Sequence, residues 1–372
     1  MRVIIAAAGT AGHINPGIAI ANEIKRKEND SEIIFIGTNR GLENDLVPRA
    51  GYELKTIDAY GLSKKPTIEN IKKIFATLNS TKTARQIIKE FKPDIIVGAG
   101  GYICGPVVWA ANKEKVPVVL HESNAYPGKA VKTLAKRVNA VLVGFEEAKE
   151  RIPKAKKIIY TGTPVKIKKI NYTKEEKSKK LEELGLDGNL PTFLVFGGSQ
   201  GAQKINEALI DLVDKGICFD YQVIWATGQK QFDIVKNKLA ETNIDINNTK
   251  NAKIVPYIYN MEEMMNIADV IISRSGAMTV TEIADLSKPS ILVPLPGVSQ
   301  NHQYYNAKAL KDIGAASIVD NERINGDRLR REMERMIYNP ELLEEMGKLA
   351  HTKSVENVEE RIYNEIKNNI RS

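Results

Sequence analysis

Short apolar runs alternate with segments of helical periodicity along the chain, and this alternation restricts the possible folds more than any other feature. The runs are nearly continuous, as in Ile-Ile-Val at 95–97 and Val-Val-Leu at 118–120, which is typical of parallel strands buried on both faces. Strands joined through helices favour right-handed crossovers and doubly wound sheets of the α/β class. The predicted strands are 2–8, 32–36, 94–98, 116–120, 138–143 and 157–161 in the first half and 192–197, 221–226, 252–256, 269–273, 289–293 and 315–318 in the second. The predicted helices of the first half are 16–28, 68–91, 103–114 and 128–136.

The length of 372 residues predicts two such domains, since a single core rarely grows beyond about 250–300 residues. A Gly/Pro-containing turn at 161–165, followed by a lysine-rich stretch to Lys180, marks the boundary. Cys104 and Cys218 fall in separate halves without metal-ligand spacing, so we expect neither a disulfide nor a zinc site. The sequence has no membrane-span run and no signal-peptide pattern, which predicts a cytosolic protein.

Three turns of small residues follow strands and open helices. They lie at 9–13, 197–202 and 273–282. None has the spacing of a dinucleotide fingerprint or a P-loop, which argues against a nicotinamide enzyme and a P-loop ATPase. In the third turn, backbone N–H groups and the helix dipole can hold an anion, while Glu282 can accept two hydrogen bonds from a ribose diol. A phosphate site beside a diol acceptor suits a nucleotide; the alternative is a simple helix cap.

Three of the four histidines, His13, His121 and His302, lie where strands end. Histidine is a natural general base near neutral pH, and a structural hydrogen bond is the alternative role for each. Neither paired histidines nor clustered carboxylates and cysteines occur at metal-ligand spacing. We therefore expect no metal and no cofactor. Without a metal, backbone dipoles and polar side chains must neutralise the charge of a pyrophosphate leaving group.

Residues 64–92 combine eight basic residues and two acidic ones with apolar residues at helical spacing, in a chain of net charge +8. A basic helix with an apolar face can lie on an anionic membrane surface. The alternative is a solvated helix packed on a sheet. Nucleic acid is not expected as a partner, because aromatic residues are scarce and no recognition-module signature is present.

Six motifs, in order along essentially the whole chain, resemble the MurG family, the peptidoglycan N-acetylglucosaminyltransferases of the GT-B fold. The motifs are the glycine loop with His13, Gly-Gly-Tyr-x-x-Gly-Pro at 100–106, His-Glu-x-Asn-Ala at 121–125, Gly-Gly-Ser-Gln-Gly-Ala at 197–202, Arg-Ser-Gly-Ala-x-Thr-x-x-Glu at 274–282 and Gln-Tyr-x-Asn-Ala at 303–307. The resemblance implies two doubly wound, Rossmann-like domains facing across a cleft. It implies residues 1–163 as the acceptor and membrane-associating domain, 164–341 as the UDP-sugar domain, and a C-terminal helix, 342–372, packing back on the first domain.

The resemblance also implies an activity and a location. The activity is inverting transfer of N-acetylglucosamine from UDP-N-acetylglucosamine to the 4-hydroxyl of undecaprenyl-diphospho-N-acetylmuramoyl-pentapeptide, without a metal in the donor site. The location is the cytoplasmic face of the cell membrane, as a peripheral protein serving cell wall biogenesis, cell shape and cell division. A diacylglycerol glycosyltransferase, a UDP-sugar 2-epimerase of the same fold and a nucleotide-sugar-binding protein without catalysis stay open as alternatives.

Site residues follow from the motifs by the same resemblance. His13 is the candidate base, with His121 and Glu122 as further catalytic candidates. The implied contacts with UDP-N-acetylglucosamine are Thr10, Ala11, Gly12, Asn124, Lys166, Ser199, Ile258, Ala277, Met278, Thr279, Val280, Thr281, Glu282 and Gln303. The chain departs from the family pattern at Ala11, usually glycine, at Ser123, usually glutamine, and at Lys166, usually arginine. Lysine keeps the positive charge near a diphosphate but lacks the bidentate fork of arginine.

Overall fold

The computed structural model describes residues 1–61, 67–198, 201–215, 220–242 and 251–370. The chain forms two compact units: Met1–Lys166 with Val355–Ser372, and Ile167–Ser354. The predicted C-terminal helix is in fact two helices, Pro340–His351 and Val358–Ile370. Met346 of the earlier helix is buried in the core of the second unit. Only the last helix therefore belongs to the first unit, so the boundary lies at residue 355 rather than at 342.

Within the described ranges, the first unit contains a seven-stranded parallel sheet. Its strands are β1 (Arg2–Ala7), β2 (Glu32–Gly37), β3 (Glu53–Thr56), β4 (Ile95–Gly100), β5 (Val118–Glu122), β6 (Ala140–Val143) and β7 (Ile158–Tyr160). They are arranged in the order β3-β2-β1-β4-β5-β6-β7. The order reverses between β1 and β4, which places the loops that follow these two strands side by side.

Helices cover both faces of this first sheet. They are α1 (Ala11–Lys27), α2 (Glu43–Arg49), α3 (Ile68–Phe91), α4 (Cys104–Glu114), α5 (Lys129–Leu134) and α14 (Val358–Ile370), with 3₁₀ turns at Ala135–Arg137 and Glu146–Arg151. Strand β1 shows the alternation that this layering requires. Ile4 and Ala6 pack with residues of α3, α4 and α5, whereas Val3 and Ile5 pack on the other face with residues of α1 and α14.

The described residues of the second unit form a six-stranded parallel sheet of the same design. Its strands are β8 (Thr192–Phe196), β9 (Gln222–Ala226), β10 (Ala252–Val255), β11 (Val270–Ser273), β12 (Ser290–Leu292) and β13 (Ala316–Ile318), in the order β10-β9-β8-β11-β12-β13. Its helices are α6 (Lys174–Glu183), α7 (Gln203–Asp214), α8 (Phe232–Glu241), α9 (Met261–Ile267), α10 (Ala277–Asp285), α11 (His302–Lys311), α12 (Gly326–Ile337) and α13 (Pro340–His351), with a 3₁₀ turn at Ser299–Asn301. Here the order reverses between β8 and β11.

The predicted α/β class with two doubly wound sheets is confirmed. Each predicted strand is present with small shifts at its ends, and α1 begins at Ala11 rather than at residue 16. Two elements of the first unit, β3 and α2, were not predicted. None of the helices in the described part of the chain is both long and apolar enough to cross a bilayer.

Candidate active site

The reversal of strand order in the first unit brings the glycine turn after β1 next to the Gly-Gly-Tyr loop after β4. Crevices at such a reversal, beyond the carboxyl ends of the strands, are where doubly wound sheets bind ligands. The contact between the two loops is close. A Cβ on Gly100 would lie 2.4 Å from Cδ2 of His13. The glycine at 100, with φ of +124°, therefore lets the backbone lie against the imidazole ring.

His13 is partly exposed at this turn and its ring has a defined orientation. Its Nδ1 donates to the carbonyl oxygen of Ala8 at 3.2 Å, and the hydroxyl of Thr10 lies 3.5 Å from the same nitrogen. A carbonyl oxygen only accepts, so the proton of the neutral ring is on Nδ1 and the lone pair is on Nε2. This tautomer is the one that lets Nε2 act as a general base. The predicted donor contacts Thr10, Ala11 and Gly12 share the same turn.

His121, at the end of β5, is fully buried and has a different environment. Its Nε2 donates to the carbonyl of Gly162 at 3.2 Å, and the Ser123 hydroxyl donates to Nδ1 at 3.4 Å. Burial lowers the pKa of His121 to about 4 despite the hydrogen bond to Gly162. Both ring nitrogens are thus engaged by the protein, and the ring connects β5 to the segment that follows β7.

The neighbouring Glu122 organises its own loop. Its Oε1 accepts hydrogen bonds from the backbone N–H of Asn124 at 2.9 Å and from the Asn124 side-chain amide at 3.0 Å. Its Oε2 accepts from the N–H of Gly128 at 2.7 Å. The carboxylate therefore closes the loop at 122–128 and fixes the orientation of the Asn124 amide, which is a predicted donor contact.

In the second unit, the turn at 197–202 follows β8 and the turn at 274–276 follows β11, so both lie at the reversal of strand order. Gly198 and Gly201 have φ of +82° and +79°, and the N–H of Gly201 donates to the carbonyl of Gly198. Such left-handed positions favour glycine. Ser199, predicted to meet the diphosphate, lies outside the described residues.

Side chains of the motifs at 274–282 and 303–307 form hydrogen bonds that connect the turn at 274–276 to neighbouring segments. Arg274 Nη1 donates to the carbonyl of Val293 at 2.9 Å and to Asn321 Oδ1 at 2.7 Å. The Ser275 hydroxyl donates to the carbonyl of Gln303 at 2.8 Å, and the Asn306 amide donates to the carbonyl of Ser275 at 3.2 Å. None of these bracing roles was predicted, although Arg274, Ser275 and Asn306 stand inside the motifs at 274–282 and 303–307.

Glu282 lies on α10, the helix that begins after this turn. Partial burial, with the negative charge of Asp285 as a smaller cause, raises its pKa to about 7. Among the residues that the structure describes, no group donates a hydrogen bond to its carboxylate. The carboxylate therefore keeps its capacity to accept hydrogen bonds.

The other predicted donor contacts of the second unit differ in exposure. Gln303 Oε1 accepts from the N–H of Leu295 at 2.9 Å, which fixes the side chain at the start of α11. The side chains of Met278, Thr279 and Thr281 are partly exposed. Three further predicted contacts, Ala277, Val280 and Ile258, are buried residues. Lys166, in the last residues of the first unit, is exposed.

Comparison with known proteins identifies the family. The sequence matches the model of the glycosyltransferase family 28 N-terminal domain over residues 3–143 and that of the C-terminal domain over residues 192–362. A relative from Acetivibrio thermocellus, named UDP-N-acetylglucosamine--N-acetylmuramyl-(pentapeptide) pyrophosphoryl-undecaprenol N-acetylglucosamine transferase, is 39% identical over 368 residues, or 99% of this chain and 98% of the relative. A relative of the same name from Bacillus pumilus is 38% identical and covers 99% of both chains.

A solved structure agrees with these relatives. The crystal structure of Acinetobacter baumannii MurG superposes with a TM-score of 0.80 at 27% identity, and the match covers 99% of both chains. The two doubly wound units therefore represent the GT-B architecture. This chain belongs to glycosyltransferase family 28, in its MurG group.

Proposed function

We propose that this chain transfers N-acetylglucosamine from UDP-N-acetylglucosamine to the 4-hydroxyl of undecaprenyl-diphospho-N-acetylmuramoyl-pentapeptide, converting lipid I to lipid II in peptidoglycan synthesis. Relatives named for this transfer are 36–39% identical and cover 98–99% of the chain. The observation that carries the proposal is the orientation of His13 at the reversal of strand order, with its proton on Nδ1. That arrangement suits a base that activates a hydroxyl.

We assign the nucleotide to the second unit. Glu282 accepts hydrogen bonds from the ribose hydroxyls, which supply the donors that the protein does not. The diphosphate is assigned to the turn at 197–202, including Ser199, and to the N-terminus of α10 as a positive dipole end. Backbone groups at Ile258 and along 277–281 contact the uridine, and Gln303 binds sugar hydroxyls.

The chemical step is assigned to the first unit. Nε2 of His13 takes the proton of the acceptor 4-hydroxyl while that oxygen attacks C1 of N-acetylglucosamine. The C1–O bond to the diphosphate breaks, UDP leaves with the electron pair, and the configuration at C1 inverts. Residues 10–12 and Asn124 contact the donor sugar. His121 and Glu122 hold the neighbouring loop, because their polar atoms already bond the backbone.

We further propose that the first unit attaches to the cytoplasmic face of the membrane through α3 and α4. Ala84 and Ile88 of α3 pack on the sheet, while Lys82 faces outward. Helix α4, which packs against α3, exposes 46% of Trp109, and the guanidinium of Arg137 lies 5.3 Å from its ring centroid. An exposed tryptophan among basic residues is typical of a surface that contacts anionic lipid.

The transfer itself is tested with purified protein, labelled UDP-N-acetylglucosamine and lipid-linked muramoyl-pentapeptide. We expect a labelled disaccharide lipid with a β-1,4 linkage and release of UDP. Diacylglycerol and acceptor-free reactions serve as controls, because they report the rival lipid acceptor and donor hydrolysis or epimerisation. Transfer to diacylglycerol alone, or turnover that does not depend on the muramoyl acceptor, contradicts the proposal.

Membrane attachment is tested by co-sedimentation with anionic vesicles. Changing Lys72, Lys73 and Lys82 to Glu should release the protein, since each basic residue near the surface contributes about 1 kcal/mol. The matched control changes Lys230, Lys236 and Lys238, which are exposed in the second unit, to Glu and should leave binding intact. Sedimentation that responds to neither the first triple change nor salt supports the packed-helix alternative.

A further inference from the structure

Glu43, the first residue of α2, is a fully buried carboxylate that the proposed reaction leaves without a role. It accepts three hydrogen bonds. The backbone N–H of Gly9 donates to Oε2 at 3.0 Å, and the N–H and hydroxyl of Thr38 donate to Oε1 at 3.0 and 2.7 Å. Burying a carboxylate is costly unless its oxygens are bonded in this way. The carboxylate is thus an organised part of the turn after β1.

Two glycines lie close against the side chain of Glu43. A Cβ on Gly37 would lie 2.7 Å from Cγ of Glu43. A Cβ on Gly41 would lie 2.0 Å from Oε2. A residue other than glycine at either position must displace the Glu43 side chain, so both glycines are needed for the position that it takes.

Glu43 is ionised in this environment. Burial alone raises the pKa of a carboxyl, but the hydrogen bonds from Gly9 and Thr38 together outweigh burial and lower the pKa of Glu43. An ionised carboxylate only accepts hydrogen bonds. Its negative charge is therefore directed at the N–H of Gly9.

That N–H belongs to the same peptide group as the Ala8 carbonyl, the acceptor for Nδ1 of His13. One planar peptide thus connects the two side chains: Glu43 binds its N–H end and His13 binds its C=O end. Hydrogen bonds in such a chain polarise one another, so the carboxylate strengthens the carbonyl as an acceptor. Gly101 leaves room for this carbonyl, because a Cβ there would lie 2.6 Å from the Ala8 oxygen.

We propose that Glu43 is a positioning residue for the reaction, acting on His13 through the Ala8–Gly9 peptide. It holds the peptide plane, directs the carbonyl at Nδ1 and keeps the lone pair of the neutral ring on Nε2. A directly bonded carboxylate orients the base in the Ser-His-Asp arrangement; here a peptide group stands between the two. The inference rests on His13 being the base of the proposed function.

The first test is Glu43→Gln, which keeps the shape of the side chain. A carboxamide can accept from Gly9 or from Thr38, but its NH₂ group must then face the other N–H. We expect kcat to fall at least about tenfold, part of the roughly 10²–10⁴-fold that a general base contributes, with the Kd for UDP within about threefold. Asp45→Asn removes the same charge from an exposed position of the same helix and should leave kcat unchanged.

Two readouts separate positioning from a purely structural role. In a double-mutant cycle, Glu43→Gln should lower kcat much less in a His13→Ala background than in the wild type, because both changes act on one group. The acidic limb of the kcat–pH profile should also move to lower pH, since imidazolium loses the stabilising carboxylate. Additive effects together with an unmoved limb overturn the inference.

Gly41→Ala is a second variant that tests the proposal if Glu43→Gln does not fold. It displaces the carboxylate without removing the charge, and it should reproduce the loss of kcat. Normal kcat in either folded variant, or loss of folding in both, shows that Glu43 only stabilises the turn and overturns the proposal. His13→Ala alone distinguishes the other failure: if it leaves kcat within tenfold, the assignment of the base is wrong, whatever Glu43→Gln does.

Discussion

Three glutamates, two in the first unit and one in the second, differ in the number of hydrogen bonds that their carboxylates accept from the protein, and this difference separates their roles. In the first unit, Glu43 and Glu122 each accept three hydrogen bonds from nearby backbone and side-chain groups. In the second unit, Glu282 receives none from the described residues, and burial with Asp285 raises its pKa to about 7. A carboxylate that already accepts hydrogen bonds from the protein fixes a loop before substrate binds. A carboxylate that accepts none can bind hydrogen-bond donors of a ligand. The first unit should therefore control kcat, and the second should control donor affinity.

The largest effect is expected for His13→Ala. General-base catalysis contributes about 10²–10⁴-fold, so kcat should fall by that factor. The Kd for UDP, measured by calorimetry, should stay within a fewfold, because the nucleotide contacts are assigned to the second unit. A loss of UDP affinity with unchanged kcat would contradict the assignment of catalysis to the first unit and of nucleotide binding to the second.

Glu282→Gln should produce the complementary result. It keeps the shape but removes the charge, and hydrogen bonds to a charged group contribute about 1.5–3 kcal/mol. The donor KM should rise, or kcat/KM fall, at least about tenfold. Glu241→Gln, on the exposed surface of α8, is the matched control. An unchanged donor KM and rate in Glu282→Gln would remove the ribose assignment.

The raised pKa of Glu282 predicts a pH dependence confined to the donor site. Its ionised form accepts both ribose hydroxyls, so affinity for UDP-N-acetylglucosamine should rise by up to about tenfold between pH 6 and pH 8, around a pKa of about 7. In the ligand-free protein, the raised pKa of Glu282 also contributes to the free energy of unfolding. This contribution is fully present below the pKa that the group has in the unfolded chain, and it is lost as pH rises through about 7. The thermal shift on adding donor should therefore grow with pH, and this growth should be absent in Glu282→Gln.

The smallest kinetic effect is expected for His121→Gln. The buried ring bonds Gly162 and Ser123, so its loss should lower the free energy of unfolding by about 1–3 kcal/mol, the usual cost of an unsatisfied buried group. The change in kcat should stay within about threefold, because the ring takes no proton from substrate. A drop in kcat comparable to that of His13→Ala, with unchanged stability, would transfer the role of base to His121.

Strand positions could be predicted because buried parallel strands are continuous apolar runs, such as Phe193–Phe196 in β8 and Val270–Ile272 in β11. Strand β3 has no such run. Its four residues, Glu53 to Thr56, lie at the sheet edge with mostly exposed side chains, so neither face imposes an apolar pattern. Helix α2 is only seven residues long and is held by the buried carboxylate of Glu43, a tertiary contact that local periodicity does not record.

The candidate active site could likewise be predicted from the sequence only in part. The motifs located the turns at 9–13, 197–202 and 274–282, because glycine and small residues at strand ends are visible in a single sequence. The difference between His13 and His121 was not visible, since both follow strands and only the folded structure buries one of them. Glu43 was missed because its partner Gly9 follows a different strand, β1, and only the pairing of β1 with β2 brings that turn next to the loop that carries Thr38 and Glu43.

The kcat–pH profile, measured with both substrates saturating for the wild type and for His13→Ala, tests the central assignment most directly. In the wild type, kcat should decline toward acid pH as the imidazole is protonated. In His13→Ala, the remaining activity should be flat over the same range, while His121→Gln should retain the decline. An acidic limb that persists in His13→Ala would show that His13 only positions substrate and that another group is the base.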